Sequence, residues 1–150
     1  RGGEEAAFLA SHGVPWEIVS GVPSALAVPA AAGIPLTHRD HASYVQIVTG
    51  HEDPSRGQSR LDFAAMSRGG GTLVFLMGSG RLREICGRLL DHGMAPDTPV
   101  AVLSRGTLPD QEIVQLTLTE AASGSHVLPA LPRPSLFVVG DVVSLRVILA

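Results

Sequence analysis

The sequence contains no lysine and only one cysteine, and each of these scarcities excludes a kind of chemistry. All eleven basic residues are arginine, so no lysine can form a Schiff base or act as a general acid. The single cysteine, Cys86, excludes an internal disulfide and favours a reducing compartment, and we therefore expect a cytoplasmic protein. No apolar run reaches the roughly 18 residues of a membrane-spanning helix. The net charge of −3 does not favour a nucleic-acid-binding surface.

The chain has 150 residues, which corresponds to about one domain. It opens on Arg1-Gly2-Gly3-Glu4-Glu5, without an initiator methionine or a signal peptide. This opening is typical of a junction between a loop and a helix. We therefore expect a fragment, or a chain that has lost an N-terminal part.

Five apolar runs of strand length share one feature, since each ends in glycine. Val, Ile, Leu and Phe dominate them, as in strands that are buried on both faces of a parallel sheet. Ligands of open α/β sheets bind beyond the carboxyl ends of the strands, where glycine lets the backbone approach closely. The alternative is that each glycine only turns the chain. The runs are residues 16–21, 44–50, 72–78, 100–106 and 136–140.

Helical patterns alternate with these runs, which predicts an α/β protein. In residues 82–90 the apolar positions follow the spacing of one buried helix face, and Cys86 lies on that face as a core residue. With its flanking strands this helix predicts a βαβ unit. Residues 4–11 predict a shorter helix, and residues 112–118 alternate as a half-exposed strand does.

Residues 22–32 predict a helix of small apolar residues that begins at the end of a strand. Pro23 suits the first helical turn, and Pro29 falls in the interior. Ser24 lies where its hydroxyl can bind free backbone N–H groups or a ligand. Gly33 ends the helix, and an extended connector follows.

Three other kinds of site are weighed and disfavoured. His38 and His41 are suitable metal ligands, but on an extended segment their side chains diverge; His51-Glu52-Asp53 also contains ligand types. The Gly-x-Ser-x-Gly pattern of a hydrolase nucleophile does not occur. The triple glycine at residues 69–71 precedes a strand, whereas a phosphate-binding loop follows one. We expect no metal.

Seven segments, in order and spread over nearly the whole chain, carry a resemblance to a known family: RGGEE, GVPSALAVPAAAGIPLTHRD, VTGHE, LDF, GTLVFLMG, DTPVAVLSRGTLPDQ and FVVGDVVSLR. They resemble the uroporphyrinogen-III C-methyltransferases, which are tetrapyrrole methylases. The resemblance implies two α/β lobes with S-adenosyl-L-methionine in the cleft between them, and a homodimer. It also implies methylation of uroporphyrinogen III to precorrin-2, for siroheme or cobalamin, with S-adenosyl-L-homocysteine as product.

By this resemblance, residues 1–36 complete the first lobe and residues 37–150 form a nearly complete second lobe. The family's proposed acid and base lie in the part of the first lobe that the chain lacks. The resemblance therefore implies no catalytic residue among these 150 residues, and we expect the chain alone to be inactive.

The resemblance also implies binding residues. Pro23 and Ser24 match the start of the helix beside the methionine part of the cofactor. Met77 matches the methionine that ends a strand, and Gly106 matches the glycine of a turn near the adenosine. Thr37, His38 and Arg39 match a signature for which we expect substrate binding: Arg39 would pair with an acetate or a propionate, or would form a structural contact between lobes.

Two alternatives remain open from the sequence. One is a methylase that acts on a later corrin intermediate, and the signatures at residues 37–39 and 106–111 favour the uroporphyrinogen enzyme over it. The other is a non-catalytic remnant that binds the cofactor or serves as half of a dimer scaffold.

Overall fold

A five-stranded mixed sheet forms the centre of the molecule. The computed structural model describes residues 2–51, 59–124 and 132–146. The strands are β1 (Val45–Thr49), β2 (Thr72–Leu76), β3 (Pro99–Ser104), β4 (Glu112–Thr117) and β5 (Ser135–Val139). Their order in the sheet is β1-β2-β5-β3-β4. Strands β1 and β2 are parallel, whereas β5 is antiparallel to both of its neighbours, β2 and β3, and β4 is antiparallel to β3.

In the described residues five α-helices connect or flank these strands, so the predicted α/β class is confirmed. They are α1 (Gly3–Ser11), α2 (Ser24–Ala31), α3 (Phe63–Arg68), α4 (Leu82–Asp91) and α5 (Leu118–Ser123). Two short 3₁₀ helices, Ser79–Arg81 and Asp141–Leu145, follow β2 and β5. None of the described helices is long and apolar enough to cross a membrane.

Alternate side chains of the inner strands point to opposite faces of the sheet. Helices pack against both faces, so the described part of the molecule has two hydrophobic cores. In β2, Leu73 and Phe75 belong to the core that α3, α4 and α5 share, whereas Val74 belongs to the core under α2. The rings of Phe75 and Phe137 stack at 4.7 Å between centroids in the first core. Truncating a phenylalanine in such a core costs about 3–5 kcal/mol of stability.

Helix α4 packs as its periodicity predicts. Leu82, Ile85, Cys86 and Leu89 are buried, and Gly93 follows the helix with a φ of 89°. Burial raises the pKa of the Cys86 thiol to about 12, so the thiol stays protonated at neutral pH and is a poor nucleophile. The interpretation of Cys86 as a core residue is confirmed.

The strand predicted at residues 16–21 is not observed. These residues have no regular secondary structure, and Ile18 and Val19 expose 77% and 83% of their surface. A strand exists only where a neighbour accepts its backbone hydrogen bonds. No described strand pairs with this segment.

The prediction that glycine-terminated runs end at one edge of the sheet holds for three of them. Gly50, Gly78 and Gly106 follow β1, β2 and β3, which run in the same direction. Gly140 lies at the opposite edge, because β5 is antiparallel to these strands.

Strand β5 also separates β2 from β3, so the two strands flanking α4 are not adjacent. An apolar run reports burial on both faces of a sheet, and it carries no information on strand direction.

Candidate cofactor site

A cavity of about 450 Å³ lies where the start of α2 meets the ends of β2 and β3 and the beginning of β5. Ser24, Met77 and Gly106 line it, so three of the four residues predicted to bind a cofactor surround one space. Its wall is mostly apolar. The other lining residues are Val22, Ala27, Val28, Leu76, Leu103, Thr107, Pro134, Ser135 and Leu136.

The amino end of α2 forms one wall. Pro23 is the N-cap residue rather than part of the first turn, and its carbonyl accepts hydrogen bonds from the N–H groups of Leu26 and Ala27 at 3.0 and 3.1 Å. Among the described residues the Ser24 hydroxyl has no hydrogen-bond partner, so it is available to a ligand. The partial positive charge of a helix amino end favours a bound anion here.

Strained backbone surrounds the cavity. Met77, Arg105 and Thr107 have φ values of 55°, 51° and 70°, and they are the non-glycine residues with positive φ in the described ranges. Such a conformation is unfavourable for a side chain with a β-carbon, and most of all for a β-branched one. Strain of this kind concentrates at functional sites, where the surrounding contacts impose it.

Specific contacts impose the conformation of the turn that follows β3. The N–H of Thr107 donates to Oε1 of Gln111 at 2.8 Å. The guanidinium of Arg105 pairs with Asp110 at 2.7 Å, and its backbone N–H donates to the carbonyl of Pro134 at 2.8 Å. The turn is thereby tied both to its own loop and to the segment that enters β5.

Gly106 is required by the close approach of α2. A β-carbon at Gly106 would overlap both γ-methyl groups of Val28 and would lie 2.9 Å from its β-carbon. Because a valine side chain is rigid, any larger residue at this position would displace the helix. Gly106 therefore brings the wall that carries Ser24 up to the end of β3.

The Ser135 hydroxyl oxygen is shielded from solvent and has no hydrogen-bond partner in the described part of the chain. Such atoms nearly always have a partner in the complete, functional state of a protein. Ser135 lines the cavity, so a ligand there could supply one.

In the described structure the signature residues Thr37, His38 and Arg39 do not line this cavity. They lie in a tight turn, in which His38 and Ala42 form an isolated β-bridge. The expected divergence of His38 and His41 is wrong, since the turn brings their rings to 5.0 Å between centroids. Arg39 is exposed.

The described residues contain no group of three or more His, Cys, Asp or Glu side chains that could hold a metal ion. Of the second candidate set, His51 is described and exposed, whereas Glu52 and Asp53 lie outside the described residues.

Sequence reasoning missed part of this cavity. It missed Ser135 and Leu136 because they begin an antiparallel strand, whereas glycine-terminated runs point only to the carboxyl ends of strands. It missed Thr107, because a positive φ at threonine has no sequence signature. This residue lies in the segment DTPVAVLSRGTLPDQ, which carries part of the family resemblance. Leu103 is a buried strand residue, and its pattern alone does not distinguish a cavity wall from core.

A family model provides the deciding comparison. The model for Tetrapyrrole (Corrin/Porphyrin) Methylases matches residues 1–122. The chain belongs to the tetrapyrrole methylases. The resemblance inferred from the seven segments is thereby confirmed at the level of the family.

Individual tetrapyrrole methylases resemble the chain over almost its whole length. An S-adenosyl-L-methionine-dependent uroporphyrinogen III methyltransferase of Methanosarcina barkeri is 48% identical over 149 residues, which are 99% of this chain and 58% of that protein. A siroheme synthase of Edwardsiella ictaluri is 45% identical over 97% of this chain and 30% of its own length.

A solved structure of a related methyltransferase has the same fold as this chain. Uroporphyrin-III C-methyl transferase of Thermus thermophilus, complexed with S-adenosyl homocysteine, is 39% identical and superimposes with a TM-score of 0.80, over 97% of this chain and 61% of that one. The chain therefore spans about three fifths of the Methanosarcina and Thermus relatives and about a third of the siroheme synthase.

We predict that Gly106→Ala lowers the melting temperature, because the added methyl group collides with Val28. Overpacking of this kind costs about 1–3 kcal/mol. Val28→Ala in the same chain removes both colliding methyl groups and should restore part of the loss. Thermal unfolding of the two single variants and the double variant measures the coupling, and purely additive effects would contradict the contact.

We predict that Thr107→Gly raises the free energy of unfolding by about 1 kcal/mol, because glycine adopts positive φ without strain. The matched control is Thr49→Gly in β1, which should lower it by about 0.5–1 kcal/mol. Urea unfolding measures both. If the two variants are destabilised equally, the backbone at Thr107 is not strained.

Proposed function

We propose that this chain supplies the cofactor cavity of a uroporphyrinogen-III C-methyltransferase, which transfers methyl groups from S-adenosyl-L-methionine and yields precorrin-2 and S-adenosyl-L-homocysteine. One observation carries the proposal. Ser24, Met77 and Gly106 lie on three separate segments, the resemblance implied cofactor binding for each, and they line one cavity. The names of the Methanosarcina and Thermus relatives support the same activity.

The cavity suits the cofactor in size and chemistry. Ligand pockets typically enclose about 300–1,000 Å³ and have mostly apolar walls with a few polar groups, and this one measures about 450 Å³. The amino end of α2 would receive the carboxylate of the methionine part. The apolar wall at Leu103 and Leu136 would receive the adenine.

The chain's residues orient the reactants and exclude water. S-adenosylmethionine supplies a methyl group, whose bond to a positively charged sulfur breaks as an electron-rich pyrrole carbon of the substrate bonds to it. Alignment of the reacting atoms contributes most to such a reaction. Met77 lines the cavity with 58% of its surface exposed, and its apolar side chain would pack against the bound cofactor.

Thr37, His38 and Arg39 belong to the proposal as substrate-binding residues. The N–H of Asp40 donates to Nδ1 of His38 at 3.2 Å, which supports the turn that presents Arg39 to solvent. A guanidinium in this position can pair with a substrate carboxylate through a bidentate fork.

The lobe organisation, the cellular location and the oligomeric state of the intact enzyme are also proposals. We propose that residues 1–36 and 37–150 belong to two lobes of a cytoplasmic, homodimeric enzyme. The exposed apolar side chains of Trp16, Ile18 and Val19 would then pack against parts of the first lobe that the relatives have beyond the matched region. The siroheme synthase relative supports a role in siroheme supply.

The test is a calorimetric titration with S-adenosylhomocysteine. The samples are this chain and a chimera in which it replaces the matching part of the Methanosarcina relative. We expect the chimera to bind, Met77→Glu to weaken binding at least about tenfold, or 1.4 kcal/mol, and Met77→Leu to preserve it. With uroporphyrinogen III and the cofactor, the chimera should yield a doubly methylated product by mass spectrometry.

Ile47→Glu is the matched control, because Ile47 is apolar and similarly exposed, at 51%, but does not line the cavity. Circular dichroism verifies that each variant is folded. A folded chimera that does not bind, or equal losses in Met77→Glu and Ile47→Glu, would refute the assignment of the cavity.

A further inference from the structure

A second cavity, of about 780 Å³, adjoins the first. Met77, Pro134 and Ser135 line both of them, so the two spaces meet across the end of β2 and the beginning of β5. Among the described residues, the wall of the second cavity contains two arginines and a histidine and no carboxylate. The remaining lining residues are His51, Ser79, Gly80, Arg81 and Arg133.

Arg81 has a structural role in this wall. Its guanidinium donates to the carboxylate of Glu84 at 2.9 and 2.6 Å and to the carbonyl of Gly50 at 3.1 Å. The hydrogen bond from Arg81 lowers the pKa of Glu84, so the pair stays ionised at neutral pH. Arg81 thus fixes the chain after β1, from which His51 follows, and its charge is largely compensated.

The charge of Arg133 is not compensated in the same way. Within the described ranges its guanidinium forms no ion pair, whereas Arg81 and Arg105 pair with Glu84 and Asp110. The guanidinium stands beside the 3₁₀ helix that follows β2, since a β-carbon at Gly80 would lie 3.7 Å from its Nη2 atom. Ser135, whose hydroxyl oxygen has no hydrogen-bond partner among the described residues, lines the same cavity.

We propose that Arg133 binds a carboxylate of the tetrapyrrole substrate in this second cavity, with the Ser135 hydroxyl and the His51 imidazole as additional hydrogen-bonding groups. The inference rests on the proposed function, because the acidic side chains of uroporphyrinogen III supply the carboxylate. A guanidinium matches a carboxylate with two parallel hydrogen bonds.

This placement has a consequence for the reaction. A substrate held at Arg133 would lie next to the cofactor cavity, because Met77 and Ser135 line both spaces. Arg133 would therefore fix which ring of the substrate stands next to the methyl donor. The role of Arg39 is separate, because the substrate carries several carboxylates and Arg39 does not line this cavity.

The test measures binding of uroporphyrin III, the oxidised and unreactive form of the substrate, to the chimera by quenching of porphyrin fluorescence. We expect Arg133→Gln to weaken binding about tenfold, as the loss of a charge-assisted hydrogen bond does. Arg133→Lys keeps the positive charge but loses the two parallel hydrogen bonds, so its affinity for uroporphyrin III should lie between those of the wild type and Arg133→Gln. The dissociation constant of S-adenosylhomocysteine, measured in the same samples, should not change.

Arg83→Gln is the matched control, since Arg83 is an exposed arginine of α4 that does not line either cavity. An equal loss in Arg83→Gln would identify a general effect of net charge and overturn the proposal. So would unchanged uroporphyrin binding in an Arg133→Gln variant that still binds S-adenosylhomocysteine. A wild-type chimera that binds neither ligand would refute the proposed function together with this inference.

Coproporphyrin III distinguishes the two sources of the carboxylate, because it has methyl groups where uroporphyrin has acetates. If Arg133 binds an acetate, Arg133→Gln leaves coproporphyrin binding unchanged. If Arg133 binds a propionate, the variant weakens the binding of both porphyrins. Either result supports the proposal, provided that uroporphyrin binding is weakened.

Discussion

The contact between Val28 and Gly106 is the constraint on which the rest of the site depends. Helix α2 can approach the end of β3 only because residue 106 has no side chain. This approach brings Ser24 into the wall that also contains Met77, so that a helix terminus and two strand ends enclose one space. The helix itself makes the approach possible, since α2 is built from small residues that pack closely on the sheet (SALAVPAA).

The core provides the rigidity that the strained backbone around the cavity requires. Met77 and Thr107 each adopt a conformation that costs of order 1–3 kcal/mol. The strands that carry them are buried on both faces, and Phe75 and Phe137 stack between these strands and α4. Burial of a large apolar side chain contributes about 1.5–3 kcal/mol, which is enough to offset local strain at a strand end. A well-packed sheet therefore holds residues at its edge in positions that they would not adopt alone.

Much of the fold could be predicted from the sequence, because burial and periodicity are local properties. The apolar spacing of α4 and the runs that became β1, β2, β3 and β5 each gave an element within one or two residues of its observed bounds. Strand direction could not be predicted in this way, which is why β5 was expected to end at the cavity and instead begins there. The strand expected at residues 16–21 depends on a partner that the described residues do not contain.

Some residues of the candidate site could likewise be predicted from the sequence, whereas others required the tertiary structure. Ser24, Met77 and Gly106 follow from the family's motifs, and their convergence on one cavity needed the tertiary structure. Ser135 and Arg133 have no motif in this sequence, and only the order of the strands brings them to the same edge as Met77. The turn at His38 shows the limit of local reasoning. An extended connector was expected, but hydrogen bonds between His38 and Ala42 at 2.9 and 3.0 Å close it.

The most direct measurement is a titration of the isotope-labelled chimera with S-adenosylhomocysteine, monitored through its backbone amide resonances. If the cavity holds the cofactor, the amides of Ser24, Met77 and Gly106 shift together with one dissociation constant, while those of Ile47 and Leu90 do not move. Shifts that leave these three amides unchanged would place the cofactor elsewhere and contradict the account.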